Sequence, residues 1–142
     1  DLHLAIKPNF PLRCGEIDQP AAALVLDLKQ RGLLEDTLVM FRSEFGRTPK
    51  LSLLADAYEK AGRDHWGRVF SIALAGGGLK TGQAIGETDE LGKLPVKQPL
   101  SVPDAHATIH CALGINPARV LYDGDRPVPI TDMGEVVKKA FA

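Results

Sequence analysis

The sequence predicts an α/β fold, because short apolar runs typical of buried strands alternate with segments whose apolar residues recur at helical spacing. The clearest strands cover residues 38–41 and 69–75; Gly and Pro follow the first, and three successive glycines follow the second. Polar clusters accompany both runs. In open α/β sheets, ligands bind beyond the carboxyl ends of the strands, so the polar cluster after residue 41 is the first place to look for a site.

The predicted helices have recognisable ends. Asp18 is suited to cap a helix that continues to about Arg31, and Gly32 is placed to end it. Leu24, Val25 and Leu28 share one face of this helix, which we expect to pack on the sheet. A second helix is expected near residues 51–60, which are rich in Leu and Ala.

The second half of the chain predicts smaller elements. After a turn and a short strand at residues 83–86, residues 87–99 are charged and interrupted by Gly and Pro, which indicates an exposed loop. Ser101 or Asp104 can cap a helix that ends at Leu113. The remaining expectations are a hairpin around Asp123-Gly124 and a short helix over residues 131–141.

The composition is typical of a compact soluble part of a protein, and its charge balance does not favour a polyanionic partner. The 142 residues carry a formal net charge of −1, and Lys and Arg do not cluster. We therefore expect no nucleic-acid partner and no anionic membrane surface. No apolar run is long enough to span a bilayer. A single domain over residues 1–142 is expected to bury about two-thirds of the surface that its unfolded chain exposes.

Four residues suggest a metal centre. Glu44 follows the first predicted strand, His65 precedes the second, and Asp1 and His3 open the chain. Carboxylate and imidazole together are the ligands that borderline divalent metals such as zinc select. A purely structural interpretation stays open, in which Glu44 pairs with Arg47 at the surface and His65 is a loop residue.

Several segments of the chain resemble an uncharacterised sulfatase-like family, domain of unknown function 1501, which belongs to the alkaline phosphatase superfamily. The similarity runs from Asp18 to Ile115, and the Glu-Phe-Gly-Arg-Thr-Pro and Gly-Arg-Asp-His motifs are its most specific parts. The matching segments are residues 28–39, 44–49, 62–66, 74–78 and 104–109. The resemblance implies an alkaline phosphatase-like α/β sheet flanked by helices, of which this chain is the carboxyl-terminal part.

The same resemblance implies roles for individual residues. Asp1, His3 and His65 correspond to ligands of one metal, and Glu44 stands where the superfamily places an aspartate ligand of a second metal. Phe45 departs from the pattern, because alkaline phosphatases have a histidine there, so the second metal would lack one nitrogen ligand. The expected cofactor is a divalent metal, with zinc first and calcium, magnesium or manganese as alternatives.

The implied function is hydrolysis of a phosphate or sulfate ester, with a small anionic ester as substrate. Arg47 and Arg63 are candidate contacts to substrate oxyanions, because a guanidinium matches phosphate and sulfate geometry. A salt bridge to Glu44 or Asp64 is the equal alternative for both arginines. The superfamily nucleophile precedes the Asp-x-His element, so we expect no catalytic nucleophile here, a missing amino-terminal portion as partner, and an inactive isolated chain. The family weakly favours an exported or periplasmic location. A non-catalytic binding or assembly module is the alternative function.

Three further patterns have weaker functional interpretations. The glycines at 76–78 do not fit a phosphate-binding loop, because the Gly-Lys-Ser/Thr ending and a directly following helix are both missing. Cys14 lies in a loop-like context and Cys111 in an apolar helical pattern, and we expect no disulfide between them. His106 and His110 share a helix face, but the metalloprotease glutamate is absent.

Overall fold

The structure is a computed structural model that describes residues 3–52 and 60–141. Its class is mixed α/β, with two α-helices and small antiparallel sheets among the described residues. Each of these sheets has two strands, and the pairs are β1–β4, β2–β3, β5–β6 and β7–β8. The helices are α1 (Ile6–Gln30) and α2 (Val102–Ala112), and a 3₁₀ helix covers Lys138–Ala140. The strands are β1 (Val39–Arg42), β2 (Gly46–Arg47), β3 (His65–Trp66), β4 (Ile72–Ala75), β5 (Glu87–Thr88), β6 (Pro95–Lys97), β7 (Val120–Asp123) and β8 (Arg126–Pro129).

Helix α1 begins earlier than the sequence predicts. It starts after Ala5, whose backbone has the left-handed conformation with φ of 51°. The helix contains Pro11 and Pro20. Prolines usually mark helix ends, because they lack a backbone N–H. The sequence therefore did not predict the amino-terminal half of this helix. The end is as expected, since Gly32 follows with a φ of 71°. The expected packing on the sheet is not seen, since no residue of α1 is buried within the described structure.

The longest predicted strands pair with each other. Strand β1 runs antiparallel to β4, with Val39 opposite Ala75 and Arg42 opposite Ile72. Strand β4 covers only the second half of the predicted strand over 69–75. The predicted strand at residues 83–86 does not form. The predicted helix near 51–60 falls mostly outside the described residues, and Ser52 at its start forms a β-bridge to Gly62 instead.

Helix α2 is the best-buried element, and its caps match the prediction. Ser101 accepts a hydrogen bond from the backbone N–H of Asp104, and the Asp104 carboxylate accepts one from the backbone N–H of Ser101. This reciprocal capping box fixes the first turn. Ala107 and Thr108 on α2 are buried, and so are Thr131 and Ala140 in the segment that follows β8.

The carboxyl-terminal segment is held to α2 by side-chain hydrogen bonds. The Asp104 carboxylate accepts from the backbone N–H of Glu135 at 2.8 Å, and the Thr108 hydroxyl accepts from that of Val137 at 3.0 Å. The expected helix over 131–141 is wrong except for its last turn, because these bonds hold the backbone in an irregular path. The hairpin around Asp123-Gly124 is confirmed by strands β7 and β8. The segment 87–99, expected as a loop, contains the small β5–β6 hairpin.

The surface is larger than a compact chain of this mass requires. The accessible area is 10623 Å² for 15.3 kDa, against roughly 7,100 Å² from the scaling of monomeric proteins. Large apolar side chains such as Phe10, Leu12, Phe41 and Leu91 are exposed. The chain alone therefore buries less than the expected two-thirds of the surface that its unfolded form exposes. Among the described helices, none combines the length and apolar character that crossing a membrane requires.

Candidate functional site

The antiparallel pairing of β1 with β4 brings the two predicted polar clusters together. Residues 43–49 follow the carboxyl end of β1, and residues 62–66 precede the amino end of β4. Because Arg42 is opposite Ile72, these two ends lie at the same edge of the ribbon. The first cluster was predicted from the rule that ligands lie beyond the carboxyl ends of strands, whereas the second cluster reaches the same edge because β4 runs antiparallel to β1.

Strands β2 and β3 then align the clusters residue by residue. Gly46 pairs with Trp66 and Arg47 pairs with His65. Directly opposite residues in a strand pair project to the same face, and so do residues two apart in one extended strand. Arg47 and His65 therefore share a face, and Phe45, in the bend before β2, contacts the His65 ring. The pairing continues outward, since the backbone N–H of Thr48 donates to the carbonyl oxygen of Asp64 at 2.9 Å.

The start of the described chain packs across this hairpin. The backbone N–H groups of Ala5 and Ile6 donate to the carbonyl oxygens of Lys60 and Ala61 at 3.1 and 3.0 Å. Gly62 is buried beneath this crossing, and a Cβ atom there would lie only 1.7 Å from the carbonyl oxygen of His3. The close approach therefore requires glycine at position 62. It delivers His3 to the face that carries His65.

Three rings form the centre of the site. The ring centroids of His3 and His65 are 4.6 Å apart, and those of Phe45 and His65 are 3.9 Å apart. Phe45 thus covers one side of the His65 imidazole, in the position where the resemblance expects a histidine. The Arg47 guanidinium carbon lies 5.8 Å from the centroid of the Phe45 ring, within the range of a cation–π contact.

Asp64 is the carboxylate closest to the histidines in the described structure. Its Oδ1 lies 3.7 Å from Nδ1 of His3, and its Oδ2 accepts a hydrogen bond from the Ser52 hydroxyl. The backbone N–H of Asp64 donates to the Thr48 hydroxyl at 3.1 Å. From the sequence, Asp64 was expected only as a partner for arginine. Its position between Arg63 and His65, in the motif that supplies a predicted ligand, was the signal that could have identified it.

The two predicted anion-binding arginines lie at this site in different environments. Nη1 of the half-buried Arg47 donates to the carbonyl oxygen of Arg63 at 3.1 Å, which ties the two motifs together. Arg63 is half-buried and forms no ion pair with a carboxylate of residues 3–52 or 60–141. The alternative of a salt bridge to Glu44 or Asp64 is therefore not seen for Arg63.

The predicted ligands converge only in part. His3 and His65 come together, whereas Glu44 is exposed in the bend after β1. Asp1 lies outside the described residues. Within the described parts of the chain, no group of three or more His, Cys, Asp or Glu side chains is arranged to hold a metal ion. The described residues therefore do not by themselves complete a metal shell, and ligation by Asp1, His3, Glu44 and His65 stays a prediction.

The other candidates lie elsewhere. Cys14 and Cys111 are both exposed free thiols, so the expectation of no disulfide is confirmed. Cys14 lies within α1 and not in the loop-like context that was expected, and Cys111 is exposed on α2 although its apolar helical pattern is typical of a core residue. Nδ1 of His110 is 2.8 Å from the carbonyl oxygen of His106, one helical turn away. This bond holds Nδ1 of His110 within its own helix, and among the described residues no third ligand joins the pair.

The fold and site define a mixed α/β protein with a paired-histidine cluster flanked by arginine. Comparison with protein families assigns residues 1–141 to DUF1501, described as a protein of unknown function. The chain therefore belongs to the DUF1501 family. No curated protein and no solved structure gives a significant match. The family match carries no link to the alkaline phosphatase or sulfatase superfamily.

Proposed function

We propose that this chain is the carboxyl-terminal part of a metal-dependent hydrolase of phosphate or sulfate esters. It would contribute metal ligands and substrate contacts and would not contribute the nucleophile. The observation that supports this best is the convergence of His3 and His65, whose rings lie 4.6 Å apart although they come from distant parts of the sequence. Their approach depends on a backbone crossing that only glycine at position 62 accommodates.

The donor types in the cluster favour zinc over harder cations. Two imidazoles with a neighbouring carboxylate match the nitrogen and oxygen ligands of zinc, whereas calcium and magnesium prefer oxygen ligands alone. In the proposal, His3 and His65 with Asp1 hold one metal, and Glu44 holds a second. A bound metal would stabilise negative charge on the ester oxygens. Because the described residues do not complete its shell, we assign no reaction step to the metal.

Anion binding by Arg47 and Arg63 is better supported than metal binding. Arg47 and Arg63 flank the histidines on the paired segments, and the bond from Arg47 to the Arg63 carbonyl oxygen fixes their spacing. A guanidinium carries five N–H donors in a planar fork and remains charged at every physiological pH, which suits both arginines to an oxyanion. In this proposal the two arginines orient the phosphate or sulfate group against the histidine pair.

Ester hydrolysis tests the proposal directly. We expect no detectable turnover of aryl phosphate or aryl sulfate by residues 1–142 alone, because no nucleophile motif is present. In the complete product of the gene, we expect hydrolysis that falls at least about a hundredfold on His65→Ala, since loss of a ligand removes charge stabilisation and positioning. His106→Ala is the matched control, because His106 is an exposed histidine on α2. Equal loss in both variants, or no loss in either, would refute the proposal.

A non-catalytic assembly module is the second candidate, and two observations favour it. Phe45 covers the His65 ring where the resemblance expects a metal ligand. The chain also exposes many large apolar side chains, which is typical of a surface that another polypeptide covers. If the whole gene product has no hydrolytic activity and associates stably with another protein, this function is favoured over the hydrolase.

A further inference from the structure

A groove separate from the histidine cluster lies between the β1–β4 ribbon and helix α2. Its volume is about 530 Å³, within the range of roughly 300–1,000 Å³ that is usual for small-molecule sites. Its lining does not include His3, Phe45, Arg47 or His65, so it is distinct from the proposed hydrolytic site. The groove is open along one side and reaches the β5–β6 hairpin.

The two main walls of the groove are apolar faces of regular elements. Met40 is opposite Leu74, and both line the groove from one face of the ribbon, next to Ile72. Residues that are opposite or two apart share a face of a strand pair, so this wall follows directly from the strand register. The facing wall is provided by Ala105 and Ile109, one helical turn apart on α2.

The rim of the groove is positively charged. Four cationic side chains line it, namely Arg42, Arg68, Lys80 and Lys97, whereas Glu87 is its one carboxylate among the described lining residues. Glu87 is already neutralised by Lys97 at 2.7 Å. Arg42 and Lys80 form no ion pair with any carboxylate of the described structure. Arg42 also continues the face of Met40, so a cation stands directly at the end of an apolar wall.

From this arrangement we infer that the groove binds a small amphipathic anion, with its alkyl chain between β4 and α2 and its headgroup at Arg42. Charge complementarity selects an anion over a neutral or cationic ligand, because the rim keeps an excess of positive charge after the Lys97–Glu87 pair is formed. The apolar walls select an alkyl chain over a fully polar anion. The headgroup can be a carboxylate, phosphate or sulfate, since a guanidinium binds each of them.

Calorimetric titration of the chain with octanoate, octyl phosphate and octyl sulfate, below their micellar concentrations, tests the inference. We expect saturable binding of at least one, at one site per chain. The dissociation constant should fall about fourfold for each methylene added between hexanoate and octanoate, from the burial of about 0.8 kcal/mol per methylene. Octylamine should bind at least about tenfold more weakly. Trp66 is the single tryptophan and lies 5.7 Å from the Arg68 guanidinium, so its fluorescence gives a second readout.

Two variants locate the binding. Arg42→Gln should weaken binding of the anion about fivefold or more, whereas Arg126→Gln on β8, outside the groove, should leave it unchanged. Ala105→Leu should weaken octanoate more than hexanoate, because it shortens the apolar part of the groove. Circular dichroism establishes that each variant is folded. Equal binding of octylamine and octanoate, identical effects of the two arginine variants, or no saturable binding of any of the three anions would each overturn the inference.

Discussion

Replacing Gly62 by alanine should separate the two histidines of the site. The new Cβ would lie 1.7 Å from the carbonyl oxygen of His3, where van der Waals contact requires roughly 3.5 Å. The crossing segment must therefore move by about 2 Å, which breaks the hydrogen bonds from Ala5 and Ile6 to residues 60 and 61. At about 0.5–1.5 kcal/mol for each net bond, the expected destabilisation is about 1–3 kcal/mol.

Urea unfolding measures this loss, and the nuclear Overhauser effect between the His3 and His65 ring protons measures the separation. Gly67→Ala is the matched control, because it lies close by in the chain with no atom within 4 Å of the added Cβ. We expect Gly62→Ala to lose both stability and the ring-to-ring signal, whereas Gly67→Ala keeps the signal. Retention of the signal in Gly62→Ala would show that the amino-terminal crossing does not position His3.

Three further predictions follow from local geometry. Gly15→Ala in α1 should stabilise the protein by about 0.5–1 kcal/mol, because the added methyl meets no atom within 4 Å and alanine favours the helix. Thermal unfolding measures this change, and a loss of stability would contradict the prediction. The backbone N–H of Glu135 and the Ser101 groups lower the pKa of Asp104, so its stabilising effect should be full above about pH 4 and lost as pH falls through the lowered pKa. Asp104→Asn should therefore show a flatter loss of stability on acidification in urea unfolding, and an unchanged slope would refute this. Phe45→His should tighten zinc binding at least about tenfold by adding an imidazole beside His65, whereas Phe45→Leu should not; equal calorimetric titrations would contradict it.

The sequence predicted those elements whose ends carry clear signals. Ser101 and Asp104 form the expected cap of α2, and Asp123-Gly124 lies at the turn of the β7–β8 hairpin. It failed where local signals point the wrong way, as at Pro11 and Pro20 inside α1. It also failed over residues 131–141, where hydrogen bonds from α2 fix an irregular path that no local pattern encodes.

The site was predictable in its residues and less so in its geometry. His3 and His65 were both identified, and the structure brings them together. The reason for their approach was not visible in the sequence, because it depends on the antiparallel pairing of β1 with β4 and on the crossing over Gly62. Asp64 was underestimated, since its proximity to His3 follows from a backbone crossing between distant segments. The link to ester hydrolysis remains a proposal.

Zinc titration followed at the ring protons of the four histidines tests the central claim most directly. If the paired histidines are metal ligands, the His3 and His65 signals should shift together at the same zinc concentration, with weak affinity because the described residues do not complete the shell. His106 and His110 should respond later or not at all. Zinc that shifts His106 or His110 first, or leaves His3 and His65 unchanged, would contradict the metal site on which the proposed function rests.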